Sequence, residues 1–196
     1  MKKLSTDNLE GALSALAAFL GEAEAPHETL VVIGGSALIS LGLISRTTKD
    51  VDILAGVDAE RGLIDPRPMS EALMAAAEKV AREMQLDPHW LNTGPADQVL
   101  AGLPEGFLSR LSRRDYGSTL TIFLPDRFDL IHLKLFAIAD QGQGRHSNDL
   151  AALQPTDGEL LAAARWVLSQ DAGESFPQIV RIALTDLGYG HLAVEL

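Results

Sequence analysis

Apolar residues recur at helical spacing across Thr6–Glu22, through Leu9, Leu13, Leu16, Phe19 and Leu20, and predict an opening helix that Thr6 or Asp7 can cap. The polar stretch Gly21–Glu28, with Pro26 in it, is a loop. Leu30-Val31-Val32-Ile33 is an unbroken apolar run and reads as a buried strand. Gly34-Gly35-Ser36 breaks it, Ala37–Leu43 reads as a short helix, and Asp50–Leu54 starts a second strand. The Gly, Asp and Pro content of Ala55–Pro68 predicts an exposed loop. Met69–Leu86 is a helix with Ser70 as its cap and an apolar stripe of Leu73, Ala76, Ala77, Val80, Ala81 and Met84. Asp87–Asn92 reads as a short strand that Pro88 weakens. Asn92–Arg114 mixes turns with helical segments around Ala96–Leu100 and Phe107–Leu111.

Alternation resumes at Thr119–Leu124, a strand between Gly117 and Pro125. From there the period is helical. Phe128–Asp140 is a helix with Asp126 or Asp129 near its start, Gly142–Ser147 a loop, and Asn148–Leu153 a helical turn. Pro155–Gln170 and Ser175–Leu187 are helices, the last stopped by Gly188 and Gly190. The pattern therefore predicts an α/β (α+β) class: a small mixed sheet flanked by helices over residues 1–125, then a helical C-terminal part over 126–196, as two domains or packed into one.

Composition narrows the function classes. At 46% hydrophobic residues the chain is expected to fold. No apolar run approaches the ~20 residues that span a bilayer, and Met1–Asp7 leads into amphipathic sequence rather than a signal core. There are no cysteines, which excludes disulfides and thiolate chemistry. A soluble, cytoplasmic protein without a membrane partner is the expectation. A net charge of −11 argues against a general grip on a nucleic-acid backbone. Arg110, Arg113 and Arg114 form the one dense basic cluster, either a local patch or a solvated helix end.

The chemistry concentrates in Leu30–Leu54. Successive strand residues point to opposite faces, so Asp50 and Asp52 share one face while Val51 and Ile53 anchor the other. Asp is depleted in strand interiors, and two carboxylates side by side repel each other unless a cation sits between them. Oxygen-only ligands suit Mg²⁺, or Mn²⁺, held by one or two carboxylates together with substrate phosphates. Glycine lets a backbone approach a phosphate closely, so Gly34, Gly35 and Ser36 are candidates for phosphate binding; Ser36 also suits a helix cap. Arg46 and Lys49 would offset phosphate charge, and Thr48 would orient a carboxylate, if their loop folds back over the turn. Farther on, Lys134 lies on an apolar stretch of helix, where a lysine either snorkels out or meets an anion.

Gly34-Gly35-Ser36, a short helix, then Arg46-Thr47-Thr48-Lys49-Asp50-Val51-Asp52 resembles the signature of the nucleotidyltransferase (DNA polymerase beta-like) superfamily. Within it the spelling is most similar to prokaryotic stand-alone domains that include AbiEii-type toxins. The stretch Lys134-Leu135-Phe136-Ala137, followed by Arg145-His146-Ser147-Asn148-Asp149-Leu150, also looks like the distal motifs of that group. The resemblance implies that Asp50 and Asp52 hold Mg²⁺, in a two-metal arrangement with ions ~3.5–4 Å apart. It implies that the Gly-Ser turn holds the β- and γ-phosphates, that Lys134 faces the nucleotide, and that Asp149 lies near it. Arg145 and His146 are further candidates. A third carboxylate, common in the superfamily, is not assignable: the strand Asp87–Asn92 offers Asp87 or Asn92, of which Asn92 would be a poor base, and Thr119–Leu124 contains no acid, with only Asp115, Asp126 or Asp129 flanking it.

The implied reaction moves a nucleoside monophosphate from an NTP to an acceptor hydroxyl on tRNA, protein or a small molecule. A toxin of this kind would have a cognate antitoxin as its partner; a homo-oligomer is the other assembly. Two rivals stand beside it: a catalytically degraded nucleotide-binding domain that regulates a partner protein, and an interaction module in which the acidic strand is mere surface.

Overall fold

In the computed structural model, which describes all residues 1–196, the apolar run beginning at Leu30 is the C-terminal part of β1 (Glu28–Ile33), buried from Leu30 onward. Its antiparallel neighbour β2 spans Val51–Asp58. The predicted Ala55–Pro68 loop is therefore shorter than expected. Ala55–Asp58 continue β2, and Gly62–Ile64 form β3, paired back on it across a turn over 59–61, with Gly62 entering the strand at φ +74°. With only an edge strand to build, Gly and Asp here make a hairpin. The predicted strand at Asp87–Asn92 shrinks to β4 (Leu91–Asn92), parallel to the start of β2 and beyond Pro88. β5 (Ser112–Tyr116), which the expected turns and helices missed, pairs antiparallel with β6 (Leu120–Leu124), and β6 runs parallel to β1. The sheet is thus six-stranded and mixed, in the order β3-β2-β1-β6-β5, with β4 on the free stretch of β2.

The chain divides into two compact units, Met1–Pro125 and Asp126–Leu196. In the first, α1 (Leu9–Glu22) packs on α3 (Glu71–Met84), with Lys79 bonded to Glu22 at 2.8 Å and stacked over the Phe19 ring. Ser70 caps α3 by accepting from the Leu73 N–H. α1 starts at Leu9, later than expected, and neither Thr6 nor Asp7 caps it. Asn8 holds that position and spends its side-chain oxygen on the Ser5 N–H. A short helix, α2 (Gly34–Ser40), follows β1 directly, and α4 (Asp97–Ala101) lies farther along. The basic cluster is split: Arg110 ends a 3₁₀ turn over Phe107–Arg110, and the other two arginines lie on a strand. Arg113 and Arg114 sit on β5, paired with Asp115 and Glu10, and Arg110 donates to the Glu105 carbonyl.

The second unit is helical: α5 (Arg127–Gln141), α6 (Arg145–Ala152), α7 (Asp157–Leu168), α8 (Phe176–Asp186) and α9 (Gly190–Ala193). Asp126 caps α5 by accepting from the Asp129 N–H, and Thr156 and Glu159 form a capping box on α7. Helix α6 begins three residues before the expected turn, so Arg145 and His146 lie in its first turn rather than in a loop. The fifth helix, α9, starts at Gly190 itself, the second of the two glycines expected to end the helical part. No helix is long and apolar enough to cross a membrane.

Arg127 ties three of these helices together. It donates to the Leu153 and Gln154 carbonyls at the end of α6 and pairs in a fork with Glu159 on α7. That guanidinium, helped by the Thr156 N–H, holds the Glu159 carboxyl down at about 2. A carboxyl depressed in the folded state contributes stability above its unfolded range and loses it as pH falls through the folded value. Glu159→Gln is accordingly expected to lower stability at neutral pH and to flatten the loss of stability between pH ~4.5 and ~2. Urea melts across that range, compared with the parent chain, measure both effects.

Candidate active site

Asp50 and Asp52 stand on the same side of the chain as it enters β2, with Val51 and Ile53 fully buried on the other. Both aspartates stay half-buried. Between Val31–Val32 and their partners on β2 the register slips by one residue, so Ala55 and Ile53 are paired and Leu54 is passed over. A bulge of this kind re-aims the strand that follows it. Its result is that Ile33, the last residue of β1, lies opposite Asp52.

The turn that follows Ile33 therefore begins beside the second aspartate. Gly34 has φ +74°, a conformation other residues adopt only with strain, and a Cβ built there would collide with Asp52 Oδ2. Both properties require glycine. A Cβ on Gly35 would lie 3.0 Å from Thr48 Oγ1 and 3.2 Å from an Arg46 guanidinium nitrogen. The Arg46–Asp50 loop thus does fold back over the glycine turn. It is pinned there by Leu4, which exchanges both backbone hydrogen bonds with Thr48 at 2.8 Å and is completely buried. Nothing in the local sequence around Leu4 announces this bridge.

Hydrogen bonds orient the carboxylates. The Thr48 hydroxyl, itself buried, donates to Asp50 Oδ1 at 3.1 Å. Asn92 on β4 donates its side-chain amide to Asp52 Oδ1 at 3.1 Å. Arg46 also donates to the Thr47 carbonyl, and Lys49 is exposed. Helix α2 begins at Gly34, three residues before the expected start at Ala37. Ser36 is consequently not its cap. It lies inside the first turn, buried, with its hydroxyl donated to the Ile33 carbonyl at 3.1 Å. Ile33, at the cap position of α2, offers no side-chain hydrogen bond to its first turn.

The other candidates belong to the helical unit. Lys134 does not snorkel. Its ammonium is buried and bonded to Asp149 Oδ2 at 2.7 Å, and the Asp149 side chain is 1% exposed. His146 is half-buried and Arg145 exposed, on the first turn of the helix that carries Asp149. Asp129 and His132 are buried on α5, and the His132 ring bonds the Phe128 carbonyl through Nδ1 and meets the Trp166 ring edge-on.

The oxygen donors at Asp50 and Asp52 fit a hard divalent cation such as Mg²⁺ or Mn²⁺. Glycine at position 34 leaves open, beside Asp52, the space a side chain would fill. Nowhere do three or more His, Cys, Asp or Glu gather as a metal-binding group, and the strand residue alongside Asp52 is the amide Asn92. Gly34→Ala tests the close approach. It is expected to cost ~1–2 kcal/mol from the left-handed backbone alone and to displace Asp52, so calorimetry will show a lowered Tm and NTP titration a weakened affinity.

The family model described as "Nucleotidyltransferase of unknown function (DUF6036)" matches residues 8–150. No curated protein and no solved structure matches the chain.

Proposed function

The chain belongs to this DUF6036 family of nucleotidyltransferases, and on that premise we propose that it moves a nucleoside monophosphate from an NTP to an acceptor hydroxyl, using Mg²⁺ or Mn²⁺ at Asp50 and Asp52. The observation that carries the reading is the contact of its two halves. The glycine turn begins opposite the second aspartate, and the Arg46–Asp50 loop closes over it.

Each residue then has a task its position supports. Asp50 and Asp52 supply carboxylate oxygens, steered by Thr48 and Asn92. Gly34 and Gly35 allow a phosphate to approach backbone N–H groups that a side chain would screen. Ser36, buried under the turn, keeps it in shape through Ile33. Arg46 brings a guanidinium to the turn, where it can stabilise charge that grows on the phosphates during transfer. When bound, the divalent cation would polarise the phosphoryl oxygens and lower the pKa of an acceptor hydroxyl. Lys49, exposed in the same loop, would be a source of attraction for a triphosphate.

A toxin-like activity of the AbiEii kind, with a cognate antitoxin as partner, is the biological role the motif resemblance favours. The experiment is incubation with each α-labelled NTP, Mg²⁺ and a cell extract. Label is expected in one class of molecule, tRNA, protein or small metabolite, with one NTP preferred. Equal labelling by the parent and by the Asp50→Asn, Asp52→Asn double variant would sink the proposal.

A further inference from the structure

The contact between Asn92 and Asp52 joins residues forty positions apart and is built with more care than a surface hydrogen bond requires. Strand β4 is two residues long, and its second residue is in register with Asp52. The Asn92 side chain has both ends engaged. Its oxygen accepts from the Gly94 N–H at 2.9 Å, and its nitrogen donates to Asp52 Oδ1 at 3.1 Å. This fixes which end is which, because a backbone N–H can only donate and a carboxylate can only accept. Gly94 contributes by being glycine: a Cβ there would lie 3.0 Å from Asn92 Oδ1.

Resting on the metal–nucleotide reading of this site, we propose that Asn92 is a positioning residue that presents an N–H, not an oxygen, to Asp52, so that the site takes a divalent cation only together with nucleotide phosphates. The physical argument is one of ligand supply. Mg²⁺ and Mn²⁺ need six oxygen ligands, and no third carboxylate joins Asp50 and Asp52. The Asn92 amide turns its oxygen to Gly94 and its N–H to Asp52, so it presents no oxygen on the Asp52 side. The remaining ligands must then come from phosphates and water, which makes cation uptake depend on the nucleotide. The donated N–H meanwhile holds Asp52 against rotation in the absence of a ligand, a role that the outer partners of metal ligands commonly fill.

The substitution that isolates this role is Asn92→Asp. It keeps an acceptor for the Gly94 N–H and replaces the donor to Asp52 with an oxygen. Mn²⁺ titrated into the whole chain, followed by loss of the free-ion electron paramagnetic resonance signal, reads binding without catalysis. In the parent, Mn²⁺ uptake is expected to be weak alone and tightened at least about tenfold by a non-hydrolysable NTP analogue. Asn92→Asp is expected to bind Mn²⁺ alone about tenfold tighter or more, through the added oxygen. Asn92→Ala is expected to lose ~10–100-fold in Mn²⁺ affinity with the analogue present.

If the parent binds Mn²⁺ with the analogue but Asn92→Asp gains nothing for Mn²⁺ alone, the Asn92 assignment is overturned while the metal–nucleotide site stands. If the parent binds neither, both fall. Should Asn92→Ala fail to fold, Asn92→Asp, which preserves the Gly94 bond, still decides the question.

Discussion

Replacing Asp52 with Asn will leave the first unit folded and lower nucleotidyl transfer by at least about 10²–10³-fold, the loss typical when a preorganised charge aimed at a transition state is removed. The change is isosteric, and the strand around it is held by other means. Val51 and Ile53 are fully buried, and Ile33 and Asn92 flank Asp52 in the sheet. What disappears is a negative oxygen beside the glycine turn, where Gly34 leaves room for one. Asp50→Asn is expected to act in the same direction while keeping an acceptor for the Thr48 hydroxyl. Pyrophosphate release in the presence of acceptor-containing extract, with near-ultraviolet circular dichroism as the check on fold, measures the effect. An unaltered rate in Asp52→Asn contradicts the assignment.

The second large effect is on stability. Lys134 and Asp149 form an ion pair with side chains 6% and 1% exposed, so removing one partner deletes the other's ion pair in a place shielded from water. Lys134→Met is expected to destabilise by ~3–5 kcal/mol, a drop in Tm on the order of 10 °C for a chain of this size. Adding Asp149→Leu should recover most of the loss, because a well-packed apolar pair can match a buried ion pair. Thermal melts of the two single variants and the double variant form the cycle. Activity of the refolded double variant separates two roles. If transfer is retained, the pair serves folding alone; if it is lost while the fold is regained, the lysine takes part in the chemistry as the resemblance implies.

The sequence was most legible where local periodicity and burial coincide. β1, β6, α3 with its Ser70 cap, and α7 all follow directly from apolar spacing and cap chemistry. It was least legible at edges. β5 reads Ser-Arg-Arg-Asp-Tyr, with only Tyr116 buried, because an edge strand guarded by charges carries little apolar signal. Its tyrosine hydroxyl donates to Glu10 on α1, a contact spanning more than a hundred residues. The same limit applies to the site. Gly34, Gly35, Asp50 and Asp52 were visible because they crowd into one strand–turn–strand segment. The Leu4 bridge and the orientation of the Asn92 amide depend on register between distant segments and leave no local trace, whereas Lys134 stood out by its apolar surroundings as a lysine that snorkels or meets an anion, and its partner Asp149 is named only by the resemblance. Asn92 could be singled out in sequence only as a poor substitute for a carboxylate; its orientation by Gly94 is a property of the fold.

The measurement closest to the central claim is isothermal titration of Mg²⁺–NTP into the parent chain and into the Asp50→Asn, Asp52→Asn double variant. Saturable binding by the parent, lost in a double variant that remains folded, is the predicted result. Identical titrations for the two chains, with binding or without it, would contradict a metal–nucleotide site built from the glycine turn and the paired aspartates.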